Sequence, residues 1–270
     1  MADSRAIGIF DSGLGGLSVT KEIMKALPGE NIVYFGDTGR VPYGNKGVEV
    51  IRRYAMEDER FLLGQNVKMI VAACGTVSSV AADTAALLPV PFFEMITHAA
   101  KEAVRVTKNG KIGVIGTAAT VASGSHKQAI ASIRPEAQVM ACACPLFVSI
   151  VEEGWLSPDD TVVREIVTRY LRPIMDFGAD TLILGCTHYP HLRAAIRAVA
   201  GDVTLIDPGV AVAHAVQDYL RKNNLQNDRE TGSCRFYVSD KPQSFQKTAS
   251  ILLGEEIDEA KVEQVELKNL

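Results

Sequence analysis

Two apolar runs constrain this chain more than any other feature. Ile70-Val71-Ala72-Ala73-Cys74 and Leu182-Ile183-Leu184-Gly185-Cys186 each read as a strand buried on both faces, and each stops on a thiol. Small or hydroxyl-bearing residues follow both, Gly75-Thr76 in one case and Thr187-His188 in the other, and a helix-like run comes next. That order puts each thiol at the carboxyl end of a strand, where open α/β sheets bind their ligands. One such cysteine is ambiguous, because free cysteine is among the most buried residue types. Two, in separate halves of the chain, point to a site built from facing thiols. Opposed acid/base groups suit a proton that leaves one face of a carbon and returns to the other.

The rest of the chain supports the α/β reading. Apolar runs bounded by Gly, Pro and Asp alternate with helix-period stretches, as in βα units around parallel strands. Strands are expected at Ala6–Phe10, Ile32–Phe35, Met69–Ala73, Phe92–Met95, Ile112–Ile115, Gln138–Ala141, Thr181–Leu184 and Val203–Ile206, then Arg235–Val238 and Val262–Leu267. Leu17, Thr20, Ile23, Met24 and Leu27 share one helical face, which Pro28 ends. A second such face runs from Val162 to Ile174 despite Pro173, and another helix follows Pro242. A weak internal repeat is visible: Ile7-Gly8-Ile9-Phe10 and Ile112-Gly113-Val114-Ile115 each open a stretch of similar length that closes on one of the two cysteines. The repeat predicts a duplicated, two-lobed protein with its site between the lobes.

Bulk properties exclude several classes. The 270 residues can build two real cores, and 47% hydrophobic content argues against disorder. A net charge of −4 is no nucleic-acid footprint, and no Lys/Arg run marks a membrane patch. The amino terminus enters a strand directly, so neither a signal peptide nor a spanning helix is expected. Five cysteines, an odd number set mostly in apolar runs, fit a reducing cytoplasm better than a disulfide scaffold.

Individual segments suggest roles. The glycines of Asp11-Ser12-Gly13-Leu14-Gly15-Gly16 let a ligand approach the backbone, and the following helix start suits a carboxylate, although the phosphate-loop patterns are missing. Asp11 is either a helix cap or an acid that accepts a proton or orients a thiol; with Ser12 it is expected to share both roles. Pro42-Tyr43-Gly44 can offer a backbone N–H and a phenol to a polar ligand, whereas Asp37 and Arg40 read as a structural pair. Helix starts after Cys74 and Cys186 are expected to lower their pKa, and His188 stands close enough to act on the same ligand. Cys142 and Cys144, with His126 upstream, lack metal-ligand spacing and read as core. Of Glu152 and Glu153, unfavourably placed at a helix carboxyl end, Glu153 is taken as the functional one.

Taken in order, these segments resemble those of the glutamate racemases in the aspartate/glutamate racemase family. The matching runs are Phe10-Asp11-Ser12-Gly13, Tyr34-Phe35-Gly36-Asp37-Thr38, Pro42-Tyr43-Gly44, Ala73-Cys74, Gly113-Val114-Ile115-Gly116-Thr117, Cys144-Pro145-Leu146-Phe147-Val148, Glu152-Glu153-Gly154 and Leu184-Gly185-Cys186-Thr187-His188-Tyr189-Pro190. The resemblance implies Cys74 and Cys186 as the catalytic acid/base pair, with Asp11, Glu153 and His188 in support. It implies substrate contacts from Asp11, Ser12, Tyr43, Gly44, Gly75, Thr76, Thr117, Thr120, Thr187 and His188. It further implies L-/D-glutamate interconversion without pyridoxal phosphate or metal, a homodimer, and a cytoplasmic supply of D-glutamate for peptidoglycan. Lobe A would comprise residues 1–96 and 208–270, and lobe B residues 97–207. Three positions depart from the family pattern: Gly75 where Asn is usual, Ser149 where Pro is common, and Pro208 where Ser is usual. Gly75 removes a side chain expected to hold the substrate, so a racemase of a related amino acid such as aspartate is the runner-up. A non-catalytic amino-acid-binding protein is the alternative outside the enzymes.

Overall fold

Alternation inside the apolar runs decides how the sheets are covered. In the computed structural model, which describes residues 2–253 and 262–267, Ile7 and Ile9 pack beside Leu17, Val19 and Ile23 of the helix Leu17–Ala26. Phe10 turns the other way, among Ile51, Ala55 and Leu62 of the helix Val48–Gly64. Helices on both faces leave no wet side, which is why these strands read as unbroken apolar runs. Burying each such side chain contributes roughly 1.5–3 kcal/mol.

Among the described residues ten strands form, all at expected places: β1 (Ile7–Asp11), β2 (Ile32–Gly36), β3 (Met69–Ala72), β4 (Phe92–Glu94), β5 (Lys111–Gly116), β6 (Gln138–Ala143), β7 (Thr181–Leu184), β8 (Thr204–Ile206), β9 (Cys234–Val238) and β10 (Val262–Gln264). The last is shorter than its apolar alternation suggested. Pairing is parallel throughout. The first sheet has the order β10-β9-β2-β1-β3-β4 and the second β6-β5-β7-β8. The core of the first, β2-β1-β3-β4, therefore has the same winding as the whole of the second. The repeat seen around Gly8 and Gly113 is this duplication, with β1 matched to β5 and β3 to β7.

Winding of this kind creates a crevice where successive connections leave in opposite directions. In the first sheet the crevice lies beyond the carboxyl ends of β1 and β3, next to Asp11 and Cys74. In the second it lies beyond β5 and β7, next to Thr117 and Cys186. Two helices tie the sheets together. Met95–Val106 packs on β7 and β8, and Pro208–Lys222 packs against both it and Leu17–Ala26. Glu94 caps the first of these through the N–H groups of Ile96 and Thr97, and Asp207 caps the second through that of Gly209. The largest apolar core runs through this junction, joining Ile9 and Leu17 to Leu184 and Tyr189. Among the described residues no helix is long and apolar enough to cross a membrane.

One buried base has a measurable consequence. His126, on the helix Ser125–Ile133, is 4% exposed and neither ring nitrogen has a protein partner. Burial lowers its pKa to about 4. Above the unfolded value near 6.5 both states are neutral, and this group takes nothing from stability. As pH falls from there toward 4 the unfolded chain binds the proton first, and stability is lost. The full shift corresponds to roughly 3 kcal/mol. His191, also lowered to about 4 by burial and by His188, acts in the same direction. The thermal midpoint is expected to fall between pH 6.5 and pH 4, and His126→Phe should make that acid limb shallower.

Candidate active site

Backbone meets backbone where the two crevices face each other. An added Cβ on Gly75 would lie 2.5 Å from the Gly185 carbonyl oxygen, and one on Gly15 would overlap the side chains of Thr187 and His188. Hydroxyls cross the same junction: Ser18 Oγ donates to Thr187 O at 2.8 Å, Thr76 Oγ1 and Thr117 Oγ1 are 3.2 Å apart, and Ser125 Oγ donates to Ser79 O at 2.6 Å. Gly75 thus has a physical reason in this chain, because no side chain fits between the lobes there.

Between the lobes opens a cleft, and both Cys74 and Cys186 line it. Ser12, Tyr43, Gly44, Gly75, Thr76, Thr117, Thr187 and His188 line it as well. Asp11 lies just behind, fully buried; its Oδ2 accepts from Gly13 N at 3.0 Å, while Oδ1 has no partner. It caps no helix, since Leu17–Ala26 starts from Gly16 without a side-chain cap.

The two thiols sit in unlike surroundings. Cys74 Sγ contacts Ser12 Oγ at 3.5 Å. The short helix Gly75–Val80 starts directly after it, yet its pKa is not lowered as the sequence suggested. Burial pushes it up to about 12, the charge of Asp11 adds to the rise, and hydrogen bonds from Ser12 and the Val77 backbone offset only part. Burial likewise raises the Asp11 carboxyl, against the pull of His188. On the opposite wall Cys186 Sγ lies 3.8 Å from His188 Nδ1, and His188 Nε2 lies 3.1 Å from Glu152 Oε1. Burial disfavours the imidazolium, but the hydrogen bonds to Cys186 and Glu152 outweigh it and raise His188 to about 10. One wall therefore holds a protonated thiol, and the other a thiol beside a positive imidazolium.

Three expectations are corrected. Glu152, not Glu153, lines the cleft: Glu153 is the carboxyl-terminal cap of the helix Leu146–Glu152 and is not part of the cleft wall. Helical phase explains it. Pro145, Val148, Ser149 and Glu152 line the cleft at spacings of three and four, whereas Phe147, Ile150 and Val151 face the core. That stripe was present in the sequence, and it also assigns Ser149 to the wall. Thr120 is buried behind Thr117, accepting from its hydroxyl at 3.0 Å, and does not line the cleft. The Tyr43 phenol is turned away toward Asp37 and Asp58, so only the rest of that residue meets the cleft.

The comparisons with known proteins agree with this geometry. The model of the Asp/Glu/Hydantoin racemase family matches residues 7–216. A glutamate racemase from Syntrophus aciditrophicus is 45% identical over 264 residues, 97% of this chain and 96% of that protein. Among solved structures, glutamate racemase from Francisella tularensis in complex with D-glutamate superposes with a TM-score of 0.92 at 36% identity, covering 99% and 100% of the two chains. That from Thermus thermophilus in complex with beta-chloro-D-alanine gives 0.90 at 41% identity over 100% of both. A two-lobed α/β protein with a thiol on each wall of its interlobe cleft defines the class, and the chain belongs to the Asp/Glu/Hydantoin racemase family.

The glycine contact can be tested on stability alone. Gly75→Ala must push on a carbonyl oxygen and is expected to cost about 1–3 kcal/mol in denaturant unfolding. Gly64→Ala, which meets nothing within 4 Å at the end of its helix, should be neutral or stabilising by up to about 1 kcal/mol.

Proposed function

We propose that this chain is a glutamate racemase in which Cys74 and Cys186 are the two acid/base groups. The observation that carries the reading is the pair of thiols on opposing walls of one cleft. Near-full-length similarity to glutamate racemases, one of them solved with D-glutamate, supports glutamate as the substrate. The thiolate of one cysteine takes the α-proton, and the thiol opposite gives its proton to the other face of the resulting carbanion. The turnover ends with the two protonation states exchanged, ready for the mirror-image substrate. No electron carrier enters, and the proton count closes.

The walls divide the work. His188, charged and balanced by Glu152, stabilises negative charge on Cys186 and on the carbanion beside it. Asp11, behind Cys74 with one oxygen unpartnered, orients that thiol and can relay its proton. Hydroxyls of Ser12, Thr76, Thr117 and Thr187 line the cleft and suit the carboxylates of an amino diacid. We further propose lobe boundaries near residues 96 and 207, a homodimer, and a cytoplasmic role in supplying D-glutamate to the cell wall.

Because enantiomers have equal free energy, kcat/KM must be equal in the two directions for wild type and for every variant. Cys74→Ser and Cys186→Ser are each expected to lower racemisation by at least about 10²–10⁴-fold, the usual worth of one general acid/base. Polarimetry with L- and D-glutamate, and with aspartate alongside, measures this; a cysteine variant at the wild-type rate would overturn the assignment. Glu152→Gln should reduce kcat by roughly tenfold or more through His188, and Glu153→Gln by less than about twofold. The reverse ranking would reinstate Glu153.

A further inference from the structure

The segment after β2 crosses from one lobe toward the other. Its residues Pro42, Tyr43, Gly44 and Asn45 line the cleft, and a Cβ on Gly44 would stand 3.1 Å from Thr117 Cβ, on the far side of the junction. It forms a strap along the cleft wall that reaches Thr117 of the other lobe. Pro42 and Asn45 are exposed, and Tyr43 anchors the segment, buried with its ring 5.4 Å from that of Tyr54.

What lies beneath is a cluster of ionisable side chains around Arg40. Arg40 Nε donates to Asp37 Oδ2 at 2.6 Å, Nη2 donates to Asp58 Oδ1 at 3.0 Å, and Nη1 pairs with Glu57. Asp37 and Asp58 are fully buried. Tyr43 Oη donates to Asp37 Oδ2 and lies 3.1 Å from Asp58 Oδ2. From the other side Ser239 Oγ donates to Asp37 Oδ1 at 2.8 Å. The Arg40 guanidinium also stacks on the Tyr54 ring, 4.0 Å from its centre. A phenol has one proton, so with Tyr43 donating to Asp37 the Asp58 carboxyl must donate back. Burial, reinforced by the charge of Asp37, keeps Asp58 protonated well above the ordinary carboxylate range. Arg40 thus meets a protonated Asp58 beside the side chains of Asp37 and Glu57. Neither it nor its three acidic partners line the cleft.

We propose that Arg40 is a positioning residue for substrate affinity, its guanidinium locking the strap Pro42–Asn45 along the cleft wall through Asp37, Asp58 and Glu57. The inference rests on the cleft being the glutamate site. Lysine cannot take its place, because one ammonium cannot span three carboxyl groups set in a planar fork. Loss of the lock leaves the thiols untouched, so the effect falls on binding and not on proton transfer.

Steady-state racemisation in both directions, with thermal midpoints measured alongside, tests this in the intact protein. Arg40→Lys is expected to raise KM for both enantiomers by about tenfold or more with kcat within about threefold. Asp58→Asn, an isosteric copy of the protonated acid, should rescue the pattern, with KM within about twofold of wild type. Unchanged KM in Arg40→Lys, a fall in kcat alone, or an Asp58→Asn defect as large as that of Arg40→Lys would overturn the proposal. If Arg40→Lys fails to fold, Glu57→Gln decides, since Glu57 is the one partner of the three that is not fully buried: a KM rise of about threefold at constant kcat supports the lock, and an unchanged KM overturns it. A wild-type protein that racemises no glutamate would sink the substrate reading instead, an outcome visible before any variant is made.

Discussion

Gly15 and Gly75 let two βα crevices close on each other, with no side chain between them and Thr187, His188 and the Gly185 carbonyl opposite. Everything chemical in this molecule depends on that approach. Each crevice alone is an ordinary switch-point pocket of a parallel sheet, with one thiol on its floor. Brought together, they make a single cleft with a thiol on each wall, which is what the proposed attack on one carbon from both sides requires. The hydroxyl bonds from Ser18, Thr76 and Ser125 surround the contact and fix its alignment. Interiors transmit displacement poorly damped, so an added methyl group at the junction would be felt at the sulfurs.

Enclosure also sets the electrostatics. Removing water raises the Cys74 thiol and the Asp11 carboxyl, because charge is disfavoured in a dry site. The same enclosure would keep His188 neutral were it not bonded to Cys186 on one edge and Glu152 on the other. Pseudo-symmetry of the sheets thus carries an asymmetric distribution of protons. A racemase needs one wall able to give a proton and one able to take it, and under the proposed assignment the two thiols fill both parts without chemically different acid and base groups.

Most of the fold was legible because strands buried on both faces, such as β1, β3 and β7, leave unbroken apolar runs, while β10 was marked only by alternation. The duplicated winding could be read from Gly8 and Gly113 with their downstream cysteines. The site was legible as far as residue identity carries. What escaped depended on direction. Glu152 and Glu153 are equivalent as letters, and only the helical phase from Pro145 separates them. Tyr43 looked like a ligand group because nothing in its neighbourhood along the chain shows Asp58 waiting beneath it. Cys74 looked activated by the helix that follows, since burial, which decides its pKa, is a property of the assembled lobes. Gly75 looked like a missing contact until the Gly185 carbonyl was seen against it.

The central claim, two thiols acting from opposite faces, is tested most directly by following deuterium during early turnover in D₂O. Each enantiomer of glutamate is incubated separately with wild-type protein. Product and residual substrate are then separated and their α-carbons analysed by mass spectrometry. Two-base chemistry predicts deuterium in the product enantiomer while the recovered substrate stays protiated, in both directions. Equal deuterium in recovered substrate and product would mean that one group both removes and returns the proton, and would contradict the account.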